Sequence, residues 1–319
     1  MHADVHSLLR FEPDYFLQRF IAPPLTFQPG QFVMVKPSGS LDPFLPRAYS
    51  ILRVQRLSNG HRARSVHVVE ILYRVLGKGT TALSQLKPGD RVDLLGPLGH
   101  GYEVPAHLTT ALLVAGGIGV PPVVALAERF ASSGWRVQGS GKGKGARRTS
   151  DFEHRTSDIG HRKMVAFVGG KTAADALCLT DLRKAGATLH VATEDGSLGH
   201  RGLVTDLLET YLTSRAAGPP PTIYACGPHP MLHAVARIAE RFQIPCQVSL
   251  EAEMACGFGA CMGCVIPVHS SGTSASSVEP FRVQGSRQTM NYEPSTVNDF
   301  RYKLCCKDGP AFDARDIVW

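Results

Sequence analysis

The stretch Cys256-Gly-Phe-Gly-Ala-Cys261-Met-Gly-Cys264, answered far downstream by Cys305-Cys306-Lys307-Asp308, limits this chain more than any other feature. Three cysteines spaced C-x4-C-x2-C with a fourth supplied later form the plant-type pattern for a [2Fe–2S] cluster. The interleaved Gly257, Gly259 and Gly263 let the backbone curl with positive φ and turn its N–H groups toward the sulfurs. A zinc knuckle or a metal-free cysteine loop is the alternative. Zinc sites usually pair two C-x2-C units, whereas one triplet meets a lone partner here. A cluster of this kind needs a source of electrons.

At 319 residues the chain has room for two or three compact domains, and 43% hydrophobic residues with 32 glycines fit an α/β protein rich in turns. No apolar run reaches the length needed to span a bilayer. The start, Met1 to His6, lacks a charged region followed by an apolar one, so no secretory signal is expected. Cys178, Cys226 and Cys246 are scattered among apolar residues like free core thiols, which points to a reducing cytoplasm. The formal charge of +7 raises the question of a nucleic-acid partner. Residues 138–163 hold seven Lys/Arg against three Asp/Glu in a Gly/Ser-rich loop, and so contribute +4 of it. A second polar insertion spans about 269–299. Neither interleaves basic residues with aromatics, so nucleic-acid binding is not expected.

From Phe16 to about Val104, short β-branched runs follow turn signals, as in 31–36, 48–53, 66–75 and 91–95. This pattern predicts a small antiparallel barrel. At Thr109 the rhythm changes. All-apolar strands at 110–115, 164–168, 188–192 and 222–225 alternate with helices opening at Pro121 and spanning 173–185, 204–212 and 231–242. Such alternation predicts a parallel sheet covered on both faces. The expected organisation is an antiparallel β-barrel over 1–105, an α/β nucleotide-binding domain over 106–250, and a small iron–sulfur lobe over 251–319.

Gly116-Gly117-Ile118-Gly119 closes a strand and opens a helix, where backbone N–H groups can meet a pyrophosphate. Cys226-Gly227-Pro228 closes a later strand at the same carboxyl edge. Arg47-Ala48-Tyr49-Ser50 sets a guanidinium, an aromatic ring and a hydroxyl on one strand; alternation puts Arg47 and Tyr49 on one face and Ser50 on the other unless the strand bends. Gly77-Lys78-Gly79-Thr80-Thr81 is a second compact turn. Taken singly, each could be an ordinary strand or loop.

Together with the cysteine loop, these motifs resemble the ferredoxin–NAD(P)+ reductase superfamily. The runs Glu253–Cys264 and Tyr302–Asp313 look like the electron-transfer subunit of NAD-linked, two-subunit dihydroorotate dehydrogenases. The resemblance runs from about Phe16 to Trp319, apart from the two insertions. It implies that the barrel holds FAD, with Arg47 at its phosphate, Ser50 near the ring and Tyr49 packed along it. Leu72, Tyr73 and Arg74 would line that site, and Gly79 and Thr80 would meet the pyrophosphate. Gly116, Gly117 and Gly119 would pass under the NAD diphosphate, with Cys226 and Gly227 near the nicotinamide and Glu194 and Asp195 bordering the dinucleotide. No Arg or Lys cluster adjoins Glu194 in sequence to pair a 2′-phosphate, which favours NADH.

The implied chemistry is hydride transfer from NADH to flavin, then single electrons through the cluster to a partner. In the family that partner is an FMN-containing dihydroorotate dehydrogenase of pyrimidine biosynthesis, in a heterotetramer. No acid–base catalytic residue is expected on this chain. Cys256, Cys261, Cys264 and Cys306 would ligate the cluster. The forty-one residues between Cys264 and Cys306 exceed the family's usual gap, but loop length adds little to closure cost. Neighbours on an extended strand point to opposite faces, so one of Cys305 and Cys306 reaches the cluster, and the Cys-Lys-Asp-Gly-Pro wording selects Cys306. Two other readings are a reductase subunit serving ferredoxin, sulfide or another redox partner, and a non-catalytic nucleotide-binding protein with structural zinc.

Overall fold

A computed structural model describes residues 1–11, 13–39, 42–57, 66–134, 162–216, 218–269 and 300–319. Six strands close a barrel in the order β1-β2-β5-β4-β3-β6, every pairing antiparallel: β1 (His2–Phe11), β2 (Tyr15–Ala22), β3 (Phe32–Pro37), β4 (Arg47–Leu57), β5 (Val66–Arg74) and β6 (Arg91–Leu98). Alternating side chains fill its interior, among them Phe20, Val33, Ile51, Val69, Ile71 and Leu94. The helix α1 (Lys78–Ser84) follows β5. The first barrel strand opens at His2, ahead of Phe16, where the strand pattern in the sequence begins. Only Ala3 and Val5 of β1 are buried, so this strand carries little apolar signal.

Beyond the barrel come β7 (Thr110–Gly116), α2 (Val120–Ser132), β8 (Lys163–Gly170), α3 (Leu179–Lys184), β9 (Thr188–Thr193), β10 (His200–Arg201), α4 (Val204–Ser214), β11 (Thr222–Cys226), α5 (His229–Arg241) and β12 (Cys246–Ser249). Strands β7 to β12 pair in parallel. One face buries Leu112, Val114 and Phe167 under α4 and α5; the other buries Leu113, Ala166 and Val168 under α2 and α3. Both faces are covered, which is why these strands read as unbroken apolar runs.

Two boundaries differ from the sequence reading. The single helix expected over 173–185 is a 3-10 turn at Ala173–Asp175 and then α3, because Cys178 between them takes a left-handed φ of 56°. The first polar insertion ends before Lys163, which opens β8; its residues 138–161 lie outside the described residues, as do 270–299 of the second.

The C-terminal segment supplies β13 (Val265–His269), β14 (Phe300–Leu304), α6 (Cys305–Asp308) and β15 (Ala311–Asp313). Strands β13 and β14 form a separate antiparallel pair. Strand β15 pairs antiparallel with β12 and extends the α/β sheet by one strand. Among the described residues no helix is long and apolar enough to cross a membrane.

At the carboxyl edge the turns after β7 and β11 interlock. A Cβ on Gly119 would lie 2.6 Å from the Cys226 carbonyl and the Gly227 nitrogen, and one on Gly227 would lie 2.5 Å from Met231. Gly117 is different: its φ is 51°, and a Cβ there would meet nothing within 4 Å. Gly119→Ala should therefore destabilise the protein by at least the ~1–3 kcal/mol of overpacking. Gly117→Asn should cost under ~1 kcal/mol, since Asn tolerates this conformation. Urea unfolding of the two variants checks the ordering, and equal losses would contradict it.

Candidate redox site

The cysteine loop turns its backbone toward its own sulfurs. Cys261 N–H donates to Cys256 Sγ at 3.4 Å, and Gly263 N–H to Cys261 Sγ at 3.5 Å. Gly257 and Gly259 adopt positive φ, 81° and 91°, but the third such position is Met262 at 59°, not Gly263. Desolvation pushes the Cys256 thiol up, and donation from the N–H groups of Cys261, Phe258 and Ala260 outweighs it, bringing it down to about 6.

Cys306 N–H donates to Cys264 Sγ at 3.3 Å, and Cys306 also lies within electrostatic range of Cys256. Both Cys305 and Cys306 are buried, yet they diverge. Cys305 Sγ points away to the Leu250 carbonyl, 3.6 Å off. The pair opens the short helix α6, not the extended strand expected, because Asp308 Oδ2 accepts the Leu304 N–H at 2.7 Å and closes the turn. Cys256 neighbours Cys261, and Cys306 neighbours Cys264 and Cys256, so the loop thiols and the later one lie together, the all-cysteine donor set that a [2Fe–2S] cluster uses.

On the barrel, β4 splits its residues between two environments. Tyr49 is buried in the barrel interior and tilts against Tyr73 at 5.5 Å; Tyr73 in turn stacks on Phe16 at 5.7 Å. Ala48 faces outward, onto the core that contains Met34, Cys264, Cys305 and Cys306. Ser50 shares the Ala48 face by alternation and is half-buried. Arg47 lies over Gly79, where a Cβ would sit 3.0 Å from its Nε. The structure thus brings together the strand and the Gly79-Thr80 turn, which are far apart in sequence. The Thr80 hydroxyl accepts the N–H groups of Leu76 and Gly77, at 2.9 and 3.1 Å, and so shapes that turn.

Leu72 is buried in the core shared with the α/β domain. Arg74, on the same face of β5, lies over the Tyr15 ring at 5.5 Å, and its Nε is buried with no hydrogen-bond partner among the described residues. A buried guanidinium N–H left unpaired costs free energy unless an acceptor meets it. An anionic group bound beside β5 would supply that acceptor, so these residues fit a flavin dinucleotide.

Around the carboxyl edge of the sheet, Gly116, Gly119 and Gly227 are held by the interlocked turns, and Gly117 faces open space. Burial raises the Cys226 thiol well above its usual range, with Glu251 adding to the rise, so it is protonated at neutral pH. The sequence reading did not single out Glu251. It follows β12; the residue is exposed at the surface, and partial desolvation of its carboxyl raises it. Only strand pairing, which sets Cys226 beside Ser249, brings it near.

Glu194 and Asp195 follow β9 on exposed backbone. Asp195 Oδ1 accepts from the Ser197 hydroxyl and N–H at 2.6 and 2.9 Å, which lowers its pKa. The fold brings Arg201 against this turn, its Cβ 3.0 Å from a Cβ position on Gly196, while Asp195 N–H donates to the backbone carbonyl of Lys171 at 3.2 Å.

The three regions meet through Met34. It pairs with Ala48 across β3 and β4, and its Cγ lies 2.5 Å from where a Gly257 side chain would begin. Only glycine at 257 lets the cysteine loop seat this closely on the barrel.

Comparison with known proteins agrees with this geometry. A family model described as the iron–sulfur cluster binding domain of dihydroorotate dehydrogenase B matches residues 251–278. The chain is 36% identical over 294 residues to the "Dihydroorotate dehydrogenase B (NAD(+)), electron transfer subunit" of Bacillus caldolyticus, covering 91% of this chain and 87% of that one. The protein of the same name from Desulforamulus reducens is 30% identical over 319 residues, covering 99% and 97%. A solved NADH-dependent reduced ferredoxin-NADP oxidoreductase superposes with a TM-score of 0.69 at 21% identity, covering 99% of this chain and 90% of its own. A ferredoxin reductase in carbazole 1,9a-dioxygenase gives 0.58 at 20% identity, covering 77% and 66%. These two show the fold. By its identity over nearly its full length, the chain belongs to the family of electron transfer subunits of NAD(+)-linked dihydroorotate dehydrogenase B.

Proposed function

We propose that this chain carries electrons between NAD(H) and a dihydroorotate dehydrogenase catalytic subunit, through FAD and a [2Fe–2S] cluster. The observation that carries this reading is the single core in which Ala48 of the flavin strand, Met34 and the cysteines Cys264 and Cys306 pack together. When bound, FAD accepts a hydride and the cluster passes electrons one at a time.

The chain's own residues bind, orient and separate these groups. Arg47 and Arg74 supply cationic donors to the FAD phosphates, while Tyr49 and Ser50 border the flavin with Leu72 and Tyr73, and Gly79 and Thr80 shape the pyrophosphate turn. Gly116, Gly117 and Gly119 carry the dinucleotide past the turn that holds Cys226 and Gly227, with the uncharged Cys226 thiol beside the nicotinamide. Cys256, Cys261, Cys264 and Cys306 hold the cluster. Around it Phe258, Met262 and Tyr302 are 57%, 59% and 68% exposed, an apolar rim suited to docking the catalytic subunit. That subunit carries FMN, and the assembly is a heterotetramer. Glu194 and Asp195 select NADH; Arg201 is the cation beside this turn that a 2′-phosphate would engage, so NADH and NADPH must be compared side by side.

The purified chain should show flavin bands and a reddish-brown cluster spectrum, both bleached by NADH under anaerobic conditions. Reconstituted with the catalytic subunit, it should drive NADH-dependent reduction of orotate. NADH oxidation without orotate reduction would move the assignment to another redox partner, and colourless protein with stoichiometric zinc would end it. Cys306→Ser should lose iron and cluster absorbance, while Cys305→Ser should keep both. Iron analysis showing the reverse would give Cys305 the ligand role.

A further inference from the structure

We propose that Arg53 is a positioning residue whose guanidinium fixes the angle between barrel and α/β domain, and with it the alignment of nicotinamide and flavin. The inference rests on the flavin and nicotinamide reading above. Arg53 lies on β4, three residues beyond Ser50, where the pairing with β5 shifts register between Ile51 and Arg53. Such a bulge re-aims side chains, and here it turns Arg53 out of the barrel toward the joint between domains.

Three carboxylates receive the guanidinium. From the barrel side, Glu70 Oε2 accepts from Nη1 at 2.8 Å; Glu70 is 2% exposed, and its other oxygen is held by Arg19 at 2.8 Å. From the α/β side, Glu128 on α2 accepts from Nε at 3.0 and 2.9 Å and also bonds Nη2, while Asp181 on α3 accepts from Nη2 at 3.1 Å. Helix α2 begins directly after the Gly117–Gly119 turn, so its placement is the placement of the proposed dinucleotide site. A planar fork shared among fixed acceptors defines direction as well as distance, which a flexible ammonium cannot do.

Apolar packing does not do this work alone. Leu52, Leu72 and Tyr102 pack on the α/β core, and Tyr15 donates to Asp175 Oδ1 at 2.7 Å. Beside Arg53, however, a cavity of about 260 Å³ opens along the joint, lined by Phe27, Pro29, Val54, Ala125 and Arg129. There the spacing depends on the clasp. Without Arg53, Glu128 and Asp181 would face Glu70 across the joint, with Arg19 paired to Glu70 among the described residues and Arg129 on the cavity wall, and repulsion among the three carboxylates would press the domains apart.

The test uses full-length, FAD-loaded protein as wild type, Arg53→Met, Arg53→Lys and Glu128→Gln. Arg53→Met should slow flavin reduction by NADH on the order of ten- to a hundredfold, as small misplacements do. FAD content and the NADH Kd should stay within about threefold, because Arg53 touches neither proposed site. The charge-transfer absorbance between bound nicotinamide and flavin should weaken, and small-angle X-ray scattering should show an expanded particle. Arg53→Lys should fall between the two, and Glu128→Gln should lose less in the same direction. Wild-type rates in Arg53→Met, or a loss of ligand binding that matches the rate loss, would overturn the proposal. If Arg53→Met does not fold, unchanged rate and scattering in Glu128→Gln would do so. If wild type itself is not reduced by NADH, the functional reading falls, and the scattering comparison alone decides the clasp.

Discussion

Everything the chain can do as an electron carrier depends on the antiparallel ladder between β12 and β15. Strand β12 leaves the sheet directly into Glu251 and the cysteine loop, and β15 returns just after Cys305 and Cys306. Three backbone pairings, Gln247 with Asp313, Val248 with Phe312 and Ser249 with Ala311, therefore pin both ends of the cluster segment to the sheet that carries the glycine turns. A loop closed by a sheet strand at each end can be long without drifting, since its closure entropy grows only slowly with length. The polar tract between β13 and β14 is accordingly compatible with a fixed site.

The same ladder ties in the barrel. His100 N–H donates to the Gly309 carbonyl at 2.5 Å, and Leu250 N–H to the Pro310 carbonyl at 3.0 Å, so the linker leaving the barrel and the strand leaving the sheet grip one returning segment. Met34 then seats against Gly257 from the barrel side. Hydride transfer and single-electron transfer both fall off with distance, and this chain sets those distances with backbone bonds and one core shared between barrel strand and cysteine loop.

The parts of this arrangement that a sequence shows are those where one residue type answers one local demand. The strands β7, β8 and β11 are buried on both faces and read as apolar runs, and the cysteine spacing states its own chemistry. What stayed hidden depends on pairing between distant segments. Strand β1 buries two of its ten residues and gave no pattern. Cys178 broke an expected helix through a left-handed backbone that its residue type does not announce. Glu251 reached Cys226 through the pairing of β11 with β12, and Arg201 reached Gly196 as the chain turned from β9 into β10. At Gly116 and Gly119 the contacts that exclude a side chain come from Met231, Pro228 and Cys226, a packing demand set by distant segments, whereas a side chain at Gly117 would meet open space.

Arg53 belongs with these hidden features, and it shows why a joint of this kind is polar. Domains that exchange a hydride must meet at a defined angle yet leave room for ligands to enter. A fully apolar interface would weld them, and a fully solvated one would leave the angle free. A guanidinium that is 20% exposed, shared among one carboxylate that is 2% exposed and two that are about one-third exposed, sits between those limits. The nearly buried Glu70 cannot lose its partner cheaply, because an unpaired buried charge costs several kcal/mol, so Arg53 stays on the barrel. Glu128 and Asp181 are partly solvated, so theirs is the weaker side of the clasp. The clasp is therefore anchored on its barrel side, and the angle it sets is carried by α2 and α3 to the turn where the dinucleotide would bind.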